Sequence, residues 1–144
     1  MPKTLYLIRG VPGSGKSTLA NKLSRDLCCY FWEADSWMVD EYGNYKFDPN
    51  RLKHCHMMCQ RQVCRDMSRG MDVIVSNTFI KRWEADVYYT LAQVWGYDVK
   101  VILCEGNYDN VHGVPRDRVE TMRSNMEAYP DQIVYKEGEP NGSW

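Results

Sequence analysis

The first residues that could perform chemistry form a glycine-rich stretch close to the N-terminus. Residues 9–18 read RGVPGSGKST and match the pattern G-x-x-x-x-G-K-[ST], with Gly10 as its first glycine. Glycines let the backbone curl so that successive N–H groups point at one anion, and a helix that starts there adds its positive end. We therefore predict an ATP-binding phosphate loop with these members: Pro12, Gly13, Ser14, Gly15, Lys16, Ser17 and Thr18.

Lys16 and Ser17 are the side chains of this loop with a defined chemistry. The ammonium of Lys16 would compensate the charge of the β- and γ-phosphates, and the hydroxyl of Ser17 would bind Mg²⁺. A turn rich in glycine and serine could match the pattern by chance. A strand candidate precedes the loop and a helix candidate follows it, however, and that is the context that the motif requires.

The elements that must position this loop alternate between strand-like and helix-like runs. Strands are predicted at residues 3–9, 29–34, 71–77 and 97–105. Helices are predicted at 16–27, at 50–69 with Asn50 as cap and Gly70 as stop, at 81–95 closed by Gly96, and at 115–128 with Pro115 as first residue. This order predicts an α/β fold, a doubly wound parallel sheet of four to five strands with helices on both faces. We expect a single domain over residues 1–144, with a loose tail at about 136–144.

A carboxylate follows the second strand of the predicted sheet. Gly10, Asp35 and Asn77 each come just after a strand, and ligands of such sheets bind beyond the carboxyl ends of the strands. Asp35 could therefore accept the proton of an acceptor hydroxyl as a phosphoryl group moves. It could also cap a helix that begins at Ser36, because aspartate is favoured at that position. The two roles are compatible with each other.

Composition restricts the classes of protein to which the chain can belong. Hydrophobic residues make up 44% and charged residues 26% of the 144 residues, which suits a globular domain with a core. No apolar run approaches the roughly 18 residues of a membrane span. Because the N-terminus runs directly into the phosphate loop, we expect no signal peptide, no membrane partner and a cytoplasmic protein. With a net charge of −1, any nucleic acid must be bound by a local patch.

The segment HCHMMCQRQVC, residues 54–64, raises the question of a metal site. The candidate ligands are His54, His56, Cys59 and Cys64. No paired C-x-x-C supplies the other half of a structural zinc site, and apolar residues recur in the same stretch at helical spacing. A buried helix face is therefore the favoured interpretation, with reduced cysteines packed as small hydrophobes. Its predicted members are Leu52, Cys55, Cys59, Val63 and Met67.

Taken together, these segments give the chain a familiar pattern over nearly its whole length. The sequence resembles the P-loop kinases related to the polynucleotide 5′-hydroxyl kinase of T-even phages. The resemblance is carried, in chain order, by GVPGSGKSTLA, ADSWM, YKFDP, VIVSNT and NVHGVPRDRVETMR. It implies the P-loop NTPase fold, ATP and Mg²⁺ as cofactors, and a location in the cytoplasm, that of the host if the chain is phage-encoded. Lys16 and Ser17 match the nucleotide and magnesium residues, and Asp35 matches the general base.

The acceptor side departs from the pattern of the phage kinase. The acceptor-binding residues that the resemblance implies are Asp35, Met38, Asn77 and Thr78. Met38 stands where the phage kinase has an arginine that grips an acceptor phosphate, and Asn77 stands where it has an aspartate. Loss of the arginine alone would leave an unpaired carboxylate, so the joint replacement is consistent with a site rebuilt for another acceptor. The alternative is that both residues only pack, Met38 against the loop around Tyr42 and Asn77 as a cap after the third strand.

A short lid is implied at about residues 105–115. These kinases place an arginine over the phosphates just before the lid helix, whereas this chain has GNYDNVHGVP. The available substitutes, predicted as a catalytic group because a cation stabilises the charge in transfer, are Arg116, Arg118 and Arg123. His112 could line the lid or make a single backbone hydrogen bond.

A row of basic residues lies along the helix predicted at residues 50–69. Its members are Lys53, Arg61, Arg65 and Arg69, the last three at successive four-residue steps. An ordinary solvated face is the favoured interpretation. The alternative is a stripe that follows a nucleic-acid backbone beside the site.

The residues and the resemblance together predict ATP- and Mg²⁺-dependent transfer of a phosphoryl group to a hydroxyl. The leading acceptor is the 5′-hydroxyl of a nucleic acid. A nucleoside or a hydroxymethylated base in DNA remains as an alternative of the same class, and a nucleotide-regulated binding protein without transfer as one of a different class. Asp35 argues against the last, because a switch needs no acceptor base. The oligomeric state does not follow from the sequence.

Overall fold

A computed structural model describes residues 3–108 and 113–135 of the chain. The tail predicted at about 136–144 lies outside the described residues, as do His112 and the other central residues of the lid at 109–112.

A parallel sheet of five strands forms the centre of the described structure. Its strands are β1 (Thr4–Arg9), β2 (Phe31–Trp32), β3 (Val73–Ser76), β4 (Asp98–Cys104) and β5 (Ile133–Tyr135), in the spatial order β2-β3-β1-β4-β5. Every pairing is parallel, as the alternating pattern predicted. The sequence located the first four strands and did not locate β5.

Helices cover both faces of the sheet, which confirms the doubly wound arrangement. The helices are α1 (Lys16–Leu27), α2 (Leu52–Ser68), α3 (Asp86–Trp95) and α4 (Arg116–Asn125). Because alternate residues of a strand point to opposite faces, Tyr6 and Ile8 of β1 pack with α1, whereas Leu5 and Leu7 pack with α2 and α3. The core therefore has one layer on each side of the sheet.

Several element boundaries differ from the prediction for local reasons. The second strand ends at Trp32, because Ala34–Trp37 forms a 3₁₀ turn. Asn50 does not cap α2: the side chain of Asp48 accepts the Asn50 N–H at 3.0 Å and caps the 3₁₀ turn Pro49–Arg51 that leads into the helix.

The later helices also begin and end differently from the prediction. The stretch predicted at 81–95 starts as a 3₁₀ turn at Arg82–Ala85 before α3, which ends at the left-handed Gly96 as expected. Pro115 is not the first helical residue. It precedes α4 with an extended backbone, and α4 ends three residues before the predicted position because Met126 is extended.

The apolar face of α2 is confirmed for most of its predicted members. Cys55, Cys59, Val63 and Met67 are buried, whereas Leu52 is 39% exposed and does not belong to the core. Burial raises the pKa of the Cys59 thiol to about 11, which disfavours the thiolate that a metal ligand requires. Within residues 3–108 and 113–135, no three His, Cys, Asp or Glu side chains are grouped so that they could hold a metal ion. In the same described part of the chain, no helix is long and apolar enough to cross a membrane.

A buried arginine at the end of β1 joins two distant segments. The guanidinium of Arg9 donates to the carbonyl oxygen of Phe79 at 2.8 and 3.1 Å and to Oε1 of Gln132 at 2.7 Å. It also lies 4.0 Å from the ring centre of Tyr129. Burial lowers the pKa of this guanidinium, whose charge the carbonyl dipoles and the ring face compensate. Arg9 thus ties the segment after β3 to the segment before β5.

Replacement of Arg9 by methionine tests this link. Methionine keeps much of the apolar stem but leaves the buried carbonyl of Phe79 without its donor, so the free energy of unfolding should fall by about 2–3 kcal/mol. Urea unfolding followed by circular dichroism measures the change. The matched control is Arg25→Met at an exposed position of α1, which should stay within about 0.5 kcal/mol of wild type. Equal stability of R9M and wild type would show that Arg9 does not support the fold.

Candidate active site

A pocket of about 650 Å³ opens at the carboxyl ends of the central strands. This is the edge at which parallel α/β sheets bind ligands. Its lining comes from the phosphate loop, the turn after β2, the segments after β3 and β4, the loop before α2 with the start of that helix, the turn before α3 and the start of α4. Its lining residues include Gly15, Lys16, Ser17, Thr18, Glu33, Asp35, Met38, Tyr45, Phe47, Leu52, Asn77, Thr78, Glu84, Tyr108 and Arg118.

The glycines of the phosphate loop stand where another residue would have a strained backbone or would clash. Gly13 and Gly15 have φ angles of +82° and +97°, in the left-handed region that favours glycine. A Cβ at Gly10 would lie 2.3 Å from Oγ of Ser14 and 2.8 Å from the carbonyl oxygen of Cys104. The loop therefore joins β1 to α1 in the conformation that its sequence motif predicts.

Lys16 lies at the first residue of α1 and faces the pocket. Its Nζ donates to the carbonyl oxygen of Val11 at 3.1 Å, so the ammonium folds back over the loop. Burial lowers the pKa of Lys16, while the nearby thiol of Cys104 and the carboxylates of Glu33 and Asp35 raise it. The ammonium is thus bonded to its own loop, and two carboxylates are near enough to stabilise its charge.

Ser17 has a partner that the sequence reasoning missed. Its hydroxyl donates to Oε1 of Glu33 at 2.8 Å. Glu33 comes directly after β2 and two residues before Asp35. Its position at the same strand end as Asp35 is the sequence feature that could have identified it as a site residue. The loop hydroxyl predicted for Mg²⁺ therefore lies beside a carboxylate.

Asp35 lies in the 3₁₀ turn Ala34–Trp37, exposed on the wall of the pocket. Its charge raises the pKa of Lys16 on one side and, after the larger effect of burial, that of Tyr45 on the other. The carboxylate thus lies between the phosphate loop and the loop before α2. The residue in the capping position of this turn is Glu33, so the expected cap at Asp35 is not formed. The general-base role of Asp35 stays a prediction.

Met38 and Asn77 make contacts that match packing roles. Met38 is 1% exposed within the core, and its sulfur accepts the N–H of Asp48 at 3.4 Å. Oδ1 of Asn77 accepts the N–H of Ala34 at 3.0 Å and so joins the end of β3 to the turn after β2. Thr78 lines the pocket and accepts the N–H of Gly10 through its carbonyl oxygen at 3.3 Å. The acceptor-binding assignment of these residues stays a prediction.

The structure distinguishes among the arginines predicted as a group. Of the three, Arg118 lines the pocket, and its guanidinium carbon lies 5.9 Å from the ring centre of Phe47. Arg116 is exposed outside the pocket lining, and Arg123 pairs with Glu120 at 3.8 Å. Within the described residues, Arg118 is thus the member of the group that faces the site.

Tyr108, which the sequence reasoning did not select, lies against the phosphate loop. Its backbone N–H donates to the carbonyl oxygen of Gly13 at 2.7 Å, and its ring passes beside Gly15. Gly106 donates to the carbonyl oxygen of Ser14 at 3.0 Å. The segment after β4 therefore supports the loop through its backbone.

The basic row of α2 lies outside the pocket. Lys53, Arg61, Arg65 and Arg69 are exposed, and none of them is in the described pocket lining. Arg65 approaches Asp66 at 3.9 Å and lies 6.0 Å from the ring centre of Trp32. The carboxylate of Asp66 is buried, so only the arginine side of this contact faces solvent. The exposure of the four basic side chains outside the pocket fits the solvated face that the sequence favoured.

The chain belongs to the AAA domain family (AAA_33), which it matches over residues 5–129. Among curated proteins it is similar to human NEDD4-binding protein 2, with 28% identity over 144 residues. That match covers 87% of this chain and 8% of the human protein, so the chain spans a small part of this relative.

Solved structures with this fold include small kinases. A candidate kinase from Chloroflexus aurantiacus has a TM-score of 0.70 at 17% identity, covering 93% of this chain and 88% of that one. A gluconokinase from Sinorhizobium meliloti has a TM-score of 0.61 at 17% identity, covering 96% and 85%. A chain of the Pnkp1/Rnl/Hen1 RNA repair complex has a TM-score of 0.61 at 16% identity, covering 86% and 44%. These likenesses establish the P-loop α/β fold.

Replacement of Asp35 by asparagine separates binding from transfer. The amide keeps the size and much of the hydrogen bonding of aspartate but cannot take a proton, so phosphoryl transfer should fall by about 10²-fold or more while nucleotide affinity persists. Transfer is measured with γ-labelled ATP and affinity by calorimetry. Asp26→Asn on the exposed face of α1 is the matched control and should behave as wild type. Unchanged turnover in D35N, with or without a loss of nucleotide affinity, would contradict the assignment.

Proposed function

We propose that this protein is an ATP- and Mg²⁺-dependent kinase that transfers the γ-phosphoryl group to the 5′-hydroxyl of a nucleic acid. The family, the phosphate loop and the carboxylate of Asp35 on the pocket wall support the kinase part of the proposal. The acceptor part is supported by aromatic side chains that line the pocket on the side of Asp35 away from the phosphate loop.

The nucleotide half of the site would be built by the phosphate loop. Backbone N–H groups from Gly13 to Thr18 would surround the phosphates at the start of α1, where the helix dipole favours an anion. The ammonium of Lys16 would leave the carbonyl oxygen of Val11 for the β- and γ-phosphates. When bound beside Ser17, Mg²⁺ would neutralise charge on the same phosphates.

The transfer step would use Asp35 as base. The acceptor oxygen forms a bond to the γ-phosphorus, the bond from that phosphorus to the oxygen of ADP breaks, and the hydroxyl proton passes to the Asp35 carboxylate. Lys16 and Arg118 would supply positive charge to the moving group, because cations placed beforehand stabilise charge that is spread over its oxygens.

The observation that favours a nucleic acid is the aromatic wall next to Asp35. We use this name for Tyr45 and Phe47, exposed rings that line the pocket, together with Leu52. Aromatic rings and arginine planes are surfaces on which unpaired bases stack, and Arg118 lies over the ring of Phe47. A base stacked here would bring its ribose near Asp35.

Two alternatives keep the same chemistry with another acceptor. A nucleoside, or a hydroxymethylated base within DNA, could also stack on the aromatic wall. A small sugar acid, the kind of acceptor named for the gluconokinase, has no ring to place there and would gain more from polar side chains. A binding protein without transfer would not need Asp35.

An acceptor panel tests the proposal. The protein is incubated with γ-labelled ATP and, separately, with RNA and DNA oligonucleotides bearing 5′-hydroxyls, hydroxymethylated duplex DNA, nucleosides and gluconate. We expect label on the 5′ ends of the oligonucleotides. Label found only in phosphorylated gluconate, only in phosphorylated nucleosides or only in inorganic phosphate would refute the nucleic-acid assignment.

The variant Phe47→Leu connects the panel to the aromatic wall. Leucine keeps apolar contact but removes the stacking surface, so KM for the oligonucleotide should rise about tenfold with KM for ATP unchanged. The matched control is Tyr42→Leu, an exposed ring in the same loop that is absent from the described pocket lining. An unchanged oligonucleotide KM in F47L would show that the aromatic wall does not bind the oligonucleotide.

A further inference from the structure

The end of β3 adjoins the phosphate loop, through the hydrogen bond from the Gly10 N–H to Thr78, but offers no carboxylate to a magnesium ion. In phosphate-loop proteins an aspartate commonly shares the ion with the serine or threonine of the loop. Here the residues at that strand end are Ser76 and Asn77, neither of which carries a charge. Oδ1 of Asn77 is already bound to the N–H of Ala34. Oγ of Ser76 is buried without a hydrogen-bond partner among the described residues.

A carboxylate reaches the loop from the neighbouring strand instead. Glu33 follows β2 and lines the pocket. Its Oε1 accepts a hydrogen bond from Oγ of Ser17 at 2.8 Å. A hydroxyl that donates its proton in this way leaves its oxygen lone pairs available to a cation.

The other carboxylates that line the described pocket have different positions. Glu84 accepts the backbone N–H of Lys81 at 2.7 Å and closes the turn before α3. Asp35 is exposed in the 3₁₀ turn Ala34–Trp37 on the wall of the pocket. Glu33 is thus a pocket-lining carboxylate in direct hydrogen-bond contact with the hydroxyl of Ser17.

We propose that Glu33 supplies the protein carboxylate of the magnesium site, in place of a residue at the end of β3. The donor set fits the ion: Mg²⁺ prefers hard oxygen ligands, keeps several waters, and is held by one or two carboxylates together with the phosphates of its substrate. The inference rests on the proposed use of a magnesium nucleotide and concerns binding of that nucleotide only. It does not depend on which acceptor the protein uses.

Calorimetry of nucleotide binding tests the inference without any turnover. The affinity of the full chain for the non-hydrolysable analogue AMPPNP is measured with excess Mg²⁺ and with EDTA, and the ratio gives the gain due to the ion. In Glu33→Gln this gain should fall about tenfold or more, as expected for the loss of a group that orients or binds a metal. Affinity in EDTA should be unchanged or higher, because a negative charge beside the phosphates has been removed.

Matched variants separate the ion from the fold. Glu41→Gln makes the same chemical change at an exposed loop position and should keep the wild-type gain. Glu33→Asp keeps the charge on a shorter side chain and should retain part of the gain in affinity due to Mg²⁺. The melting temperature of E33Q without ligand should equal that of wild type, since the amide oxygen can still accept the Ser17 proton.

A direct readout uses Mn²⁺ in place of Mg²⁺. Free Mn²⁺ is followed by electron paramagnetic resonance during titration into protein with AMPPNP, and E33Q should bind the ion more weakly than wild type. A wild-type gain in E33Q, an equal loss in Mg²⁺ and EDTA, or a wild-type affinity independent of Mg²⁺ would each overturn the inference. Failure of the acceptor panel would leave these measurements unaffected, so the two proposals can fail separately.

Discussion

The close backbone approach at Gly10 is the constraint on which the rest of the site depends. There is no room for a Cβ between Oγ of Ser14 and the carbonyl oxygen of Cys104, so the loop lies directly on the ends of β1 and β4. Backbone hydrogen bonds then attach the neighbours: Gly10 donates to Thr78 after β3, and Tyr108 after β4 donates to Gly13. A side chain at residue 10 would lift the loop and separate these segments. Glycine at position 10 therefore fixes where the backbone N–H groups of the loop lie relative to the strand ends that line the pocket.

The parallel register then divides the chemistry among strand ends. The end of β1 carries the loop, and the end of β2 carries two carboxylates, Glu33 beside Ser17 and Asp35 toward the aromatic wall. The end of β3 contributes little charge but holds the β2 turn through Asn77 and the N–H of Ala34. Because carboxyl ends of parallel strands meet at one edge, residues distant in sequence share one pocket. This division favours binding of a nucleotide at the phosphate loop and of a hydroxyl acceptor near Asp35.

Local patterns were sufficient to predict the parts of this structure that local chemistry determines. The phosphate loop, α1 and the buried run of β3 follow from glycine spacing and apolar periodicity. The strand β5 could not be located, because its three residues are held mainly by pairing with β4 and carry little pattern of their own. The link through Arg9 and the contact of Ser17 with Glu33 join residues far apart in sequence. Which arginine faces the pocket depends on the rotation of α4 about its axis, and the sequence did not determine it.

The proposed kinase passes the phosphoryl group of ATP to a hydroxyl, whereas a hydrolase passes it to water. The most direct measurement counts ADP, inorganic phosphate and phosphorylated 5′ ends in one reaction of the wild-type protein with ATP, Mg²⁺ and an excess of oligonucleotide bearing a 5′-hydroxyl. We expect one phosphorylated end for each ADP formed, with little inorganic phosphate. Formation of ADP and inorganic phosphate in equal amounts, whether or not the oligonucleotide is present, would contradict it.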